Sequence, residues 1–185
     1  LTAMEQHRRL GNRIGLSAAL GNLAFLYAAE GRRDESLQRY HESLEIQKAV
    51  GFGRQEAYTF GNMGDLLADM GREQEAIDYL QKAVTLCDDM DDRLGSGAFR
   101  ASLALLNAKR GLLDEALAMV DDGQAQLEGI DLIELGVALC KRAQIEILAL
   151  RRADALANLA KDDVIMSQIL EQVCACQRYS QLIVY

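Results

Sequence analysis

Asn22 and Asn62 stand 40 residues apart, and each follows a glycine. A side-chain carboxamide offers a donor and an acceptor together, as a peptide unit does, so a pair at a fixed interval suits contact with polypeptide backbone. Charged side chains occupy related positions: Asp65 and Asp69, then Lys109, Lys141 and Arg142. A ligand with an acidic or carboxylate end would orient along such a polarised series. Residues for other chemistry are sparse. His7 and His41 are the only histidines, and neither has a second ligand at metal spacing. Cys174 and Cys176 form an isolated C-x-C pair, a weak redox or metal signal. The run Asp88-Asp89-Met90-Asp91-Asp92 lacks the glycine and spaced ligands of a calcium loop and reads as a solvated loop. No G-x-x-x-x-G-K segment occurs, and no serine–histidine–acid set can be assembled. The chemistry on offer is recognition, with no catalytic residue, metal or cofactor implied.

The elements that must position these residues repeat. Gly31, Gly71 and Gly111 are 40 residues apart, and their surroundings recur: GNLAFLYAAEGRRDES at 21–36, GNMGDLLADMGREQEA at 61–76 and ASLALLNAKRGLLDEA at 101–116. A constant stride of this length marks a stack of identical supersecondary units. Each unit reads as two helices. The first spans about 13–30 and ends at Gly31; the second spans about 34–50 and ends at Gly51. Asp34 and Asp114 stand where N-caps are expected, and Glu35, Glu75 and Glu115 follow on the favourable side of the helix dipole. Arg13, Arg54 and Arg93 lie at the unfavourable end of a first helix, so each calls for a nearby carboxylate, Asp91 or Asp92 in the case of Arg93, or an acidic ligand.

The packing register is equally regular. Leu23, Met63 and Leu103 are large, while Ala24, Gly64 and Ala104 are small. On the second helix Ser36, Ala76 and Ala116 are small, and Leu37, Ile77 and Leu117 large, with Tyr40, Leu80 and Val120 three residues further on the same face. A fainter fourth unit has a first helix over 132–150 and a second over 153–170, with Arg151 or Arg152 where glycine is expected. Residues 171–185 read as a capping helix or a partly ordered end. Residues 4–11 align with 44–51, so 1–10 read as the end of a preceding repeat in a longer array. The expected fold is all-α, a right-handed superhelical solenoid of about four antiparallel helix pairs: 11–50, 51–90, 91–130 and 131–170.

Composition agrees. Half the 185 residues are hydrophobic, only 5% are aromatic, and proline is absent, which suits uninterrupted helices. A net charge of −8 disfavours nucleic acid and anionic membranes as partners. No apolar run is long enough to span a bilayer, and no signal peptide is visible. Four cysteines without a disulfide framework suit the reducing cytoplasm.

The small–large signature, the spacing of Tyr27 to Gly31, and the Glu-Ser or Glu-Ala pair opening each second helix resemble the tetratricopeptide repeat. The 40-residue stride resembles its longer variety, found in kinesin light chains, spindle-polarity adaptors and bacterial signalling regulators. The resemblance covers residues 1–170, lacks the proline that often closes the shorter repeat, and implies a concave groove lined by the first helices. It maps that groove onto Asn22 and Phe25, then Tyr58, Asn62 and Asp65, then Ser102 and Lys109, then Lys141 and Arg142, with Asn22 and Asn62 bonding the backbone of an extended peptide. The expected role is a non-catalytic protein–protein interaction module. Its rivals are a sensory or regulatory segment of a larger signalling protein, and self-association through exposed apolar ends such as Leu182, Ile183 and Val184.

Overall fold

A computed structural model describes residues 3–149, the side chains of Ala3 and Met4 apart. The expected helix at 153–170, the segment 171–185, Cys174 and Cys176 lie outside the described residues. Eight helices occur among the described residues: α1 (Ala3–Arg9), α2 (Arg13–Ala29), α3 (Arg33–Val50), α4 (Gly53–Asp69), α5 (Glu73–Asp89), α6 (Arg93–Lys109), α7 (Leu113–Leu127) and α8 (Leu132–Leu148). The starts of α2, α4 and α6, and those of α3, α5 and α7, each keep the 40-residue stride. Two compact units divide at Gly95 and Ser96, within the first turn of α6. In the first, α1 packs on α2, α2 on α3, α3 on α4 and α4 on α5; in the second, α7 packs on α8.

From α1 to α7, every turn solves the same backbone problem in the same way. After α2, Gly31 donates to the Ala28 carbonyl at 3.0 Å and Arg32 to that of Tyr27 at 2.8 Å. This is the Schellman closure, which satisfies the last carbonyls of a helix with a left-handed residue. Gly31, Gly51, Gly71 and Gly111 supply it with φ between 71° and 86°. At the equivalent place after α5 stands Asp91, with φ 53°, and Asp92 still donates to the Cys87 carbonyl at 2.8 Å.

The tightness of this turn corrects two expectations. Each second helix begins sooner than the sequence pattern implies, so Asp34 and Asp114 lie inside the first turn and the N-caps are Arg32 and Leu112. Without a capping side chain there, Arg32 and Arg72 instead grip Glu35 and Glu75 in two-point ion pairs of 2.6–2.7 Å. The acidic run is not a solvated loop either. Asp88 and Asp89 close α5, and Asp92 is 7% exposed; its Oδ1 accepts from the Gly95 N–H at 3.2 Å and its Oδ2 pairs with Arg54 at 3.3 Å. Asp92, which the sequence sets beside Arg93, thus neutralises the arginine at the start of α4.

Small residues let the paired helices touch at two crossings. Ala24 faces Ser36 and Gly64 faces Ala76, and the equivalents Ala104 and Ala116 are buried like them. Two turns earlier along each first helix, Ser17 faces Ser43 and Gly97 faces Gly123, and the equivalents Ala57 and Ala83 are buried like them. The serines of α3 bond the opposing backbone: Ser36 donates to the Ala24 carbonyl at 2.7 Å and Ser43 to that of Ser17 at 2.8 Å. Between and beyond the crossings sit the large core residues, among them Met63, Leu67, Leu80, Val120 and Leu127, each at 1% exposure or less.

Candidate functional site

The first unit opens a concave pocket of about 500 Å³ between α2 and α4, floored by α3. Asn22 and Phe25 come from α2, and Tyr58 and Asn62 from α4, so four of the residues expected from the sequence line one cavity. They share it because the 40-residue register places the same face of successive first helices side by side. Both asparagines are exposed, and neither side chain has a hydrogen-bond partner among the described residues. Phe25 is 65% exposed, an apolar ring held at the rim. Asp65 lies one turn beyond Asn62, exposed, with its charge felt at the Tyr40 phenol.

In the second unit, Ser102 (α6) and Lys141 (α8) meet, the ammonium donating to the hydroxyl at 2.6 Å. Lys109 is exposed in the last turn of α6. Arg142 is held by neighbouring helices: it pairs with Asp121 at 2.9 Å and Glu146 at 3.0 Å, and donates to Gln124 at 3.1 Å. Its guanidinium is thereby directed toward α7.

The pocket also recruits residues outside the groove mapped from the sequence: Arg54, Gln55 and Thr59 from α4, and Tyr40 and Gln47 from α3. Tyr40 reads as a core residue from its register with Leu80 and Val120, and it is buried, yet its ring also forms part of the floor. Gln47 carries a readable signal, since its equivalents at the same stride are Cys87 and Leu127, both fully buried and apolar. Elsewhere, His41 packs edge-on against Tyr79, with ring centroids 6.4 Å apart, and the ring of His7 lies against Gly15. No group of three or more potential metal ligands occurs among the described residues.

A family model for the tetratricopeptide repeat matches residues 2–89, the stretch from α1 to the end of α5. Residues 2–89 thus carry the tetratricopeptide repeat. No curated protein matches the chain. Among solved structures, the chain is similar to BtubC (BKLC) from P. vanneervenii, with a TM-score of 0.71 at 19% identity over 85% of this chain. It spans 65% of the length of that protein. It is also similar to two structures of a P. anserina putative kinesin light chain with nearly identical TPR-like repeats, at TM-scores of 0.60 and 0.58, each at 19% identity over 90% of this chain and 77% of theirs. At such identities the likeness is one of fold alone. No described helix is long and apolar enough to cross a membrane.

Within the TPR pocket, burial pushes the Tyr40 phenol up to about 12, with a further push from the Asp65 carboxylate. Burial does the same for Tyr58, up to about 12, reinforced by the charge of Asp92 and by a hydrogen bond to it. A phenol whose folded pKa exceeds its unfolded value of 10.0 holds its proton more tightly when folded. The stability this contributes is complete below pH 10 and is lost as pH rises from about 10 to about 12. Tyrosinate absorbance should therefore show Tyr40 and Tyr58 ionising later than in urea, with urea midpoints falling over the same interval. Normal titration of both in the folded protein would contradict their burial.

Proposed function

We propose that the face made by α2 and α4 binds an extended segment of a partner protein, and that the chain acts as a non-catalytic scaffold or adaptor in the cytoplasm. The observation that carries this reading is the pair Asn22 and Asn62. They are equivalent in register, open to solvent, free of partners among the described residues, and set in one pocket. Two carboxamides so placed suit the alternating donors and acceptors of a β-like backbone. Phe25 and Tyr58 add apolar area beside them. In the second unit, Lys141, bonded to the buried Ser102, and the exposed Lys109 supply positive charge suited to acidic side chains of a partner. The chain's net charge of −8 favours polypeptide over nucleic acid.

A peptide selected on this protein from a random phage-displayed library provides the probe. The double variant Asn22→Ala/Asn62→Ala should bind it roughly tenfold or more weakly by calorimetry, since each lost hydrogen bond costs about 0.5–1.5 kcal/mol. Its melting temperature should stay that of the parent, because both side chains are exposed. Unchanged affinity would reject the assignment of this face.

A further inference from the structure

The floor of the pocket holds a polar group that the fold does not satisfy. Gln47 is 3% exposed, and its Oε1 is buried without a hydrogen-bond partner. The orientation of its amide follows from its neighbours. The single hydroxyl proton of Ser43 is used on the Ser17 carbonyl at 2.8 Å, so Ser43 Oγ can only accept from Gln47, and it does so from Nε2 at 3.0 Å. Flipping the amide would set two acceptors against each other, which leaves Oε1 as the atom lacking a donor. A buried acceptor in this state is costly, and packing does not demand it, because the equivalent positions hold Cys87 and Leu127. The polar exception falls in the repeat whose α3 floors the pocket, and Gln47 is one of the residues lining that pocket.

The surroundings restrict what can approach. Phe25, Tyr40 and Tyr58 give the cavity apolar walls, and no acidic side chain lines it, while Arg54, at its edge, is already paired with Asp92. A cationic group finds no carboxylate among the lining residues, and a carboxylate would turn lone pairs toward Oε1. We propose that the pocket is a side-chain subsite for one residue of the bound peptide, an uncharged residue whose O–H or N–H donates to Gln47 Oε1: serine, threonine, asparagine, glutamine or tyrosine. This rests on the peptide-binding reading above and adds to it the chemistry of the residue that enters.

The test pans the full chain and its variants against a random dodecapeptide library displayed on phage. Peptides enriched on the parent protein should share one position occupied by those five residue types. On Gln47→Leu and Gln47→Met, which remove the acceptor at nearly the same volume, that position should turn to leucine, methionine or phenylalanine while the others keep their preferences. Peptides from the parent should bind both variants roughly fivefold to thirtyfold more weakly. Melting curves select the variant that folds as the parent does. A charged or apolar consensus at this position on the parent, or a preference that neither variant moves, overturns the subsite and assigns Oε1 to a buried water. If Asn22→Ala/Asn62→Ala still abolishes enrichment in that case, the groove stands without the subsite. If the parent enriches no peptide, the groove and its subsite fall together.

Discussion

Gly123→Ala should destabilise the second unit by about 2–3 kcal/mol, although alanine is the better helix former by about 1 kcal/mol. A Cβ at position 123 would lie 2.8 Å from the Gly97 carbonyl oxygen and 3.2 Å from Arg100 Cβ. The reciprocal substitution, Gly97→Ala, meets the Gly123 carbonyl oxygen at 2.7 Å and Leu127 Cγ at 2.7 Å. The first obstacle in each case is backbone, which cannot rotate away, so α6 and α7 must separate along their whole contact. Gly21→Ala is the control. It too lies inside a helix, but its new Cβ would find only Ser43 Oγ, at 4.0 Å, so propensity should win and stability rise by up to about 1 kcal/mol. Urea unfolding followed by circular dichroism reads both signs. Equal and favourable effects at 21 and 123 would mean that the two helices cross with room to spare.

Leu80→Ala should cost the first unit about 3–4 kcal/mol. Leu80 is fully buried and packs over Gly64, where a Cβ would meet Leu80 Cγ at 2.6 Å and Cδ2 at 3.0 Å. The same contact predicts a reversal of sign. Gly64→Ala alone forces the leucine aside and destabilises by about 1 kcal/mol. In the Leu80→Ala background the obstacle is gone, part of the cavity is filled, and Gly64→Ala becomes stabilising. A double-mutant cycle measured by urea unfolding checks this, and strict additivity would contradict it.

The repeat was legible because stride, glycine turns and small–large columns are properties of residue order, and one copy corroborates the next. The same register carried Asn22 and Asn62 to a shared pocket, with Phe25 and Tyr58 beside them. What the pattern could not give were details set by geometry within a turn. A three-residue linker in Schellman form starts the next helix early, and that moved Asp34 and Asp114 from caps into the helix. Asp92 reaches back to Arg54, a choice between two nearby arginines that spacing leaves open. Arg142 lies at the edge of its helix face, and its long side chain goes to Asp121 and Glu146, partners on α7 and its own helix. Tyr40 and Gln47 were hidden for the opposite reason: they belong to a second helix, whose inner face is both core and pocket floor. Gln47 remained visible only as a polar residue in an apolar column.

The most direct test of recognition through α2 and α4 is to follow side-chain amide resonances by NMR as the selected peptide is added. Those of Asn22 and Asn62 should shift and exchange more slowly with solvent, while those of Gln38 and Gln74, exposed on α3 and α5, should stay in place. Shifts at Gln38 and Gln74 with Asn22 and Asn62 unmoved would place the partner on the opposite surface and contradict the account.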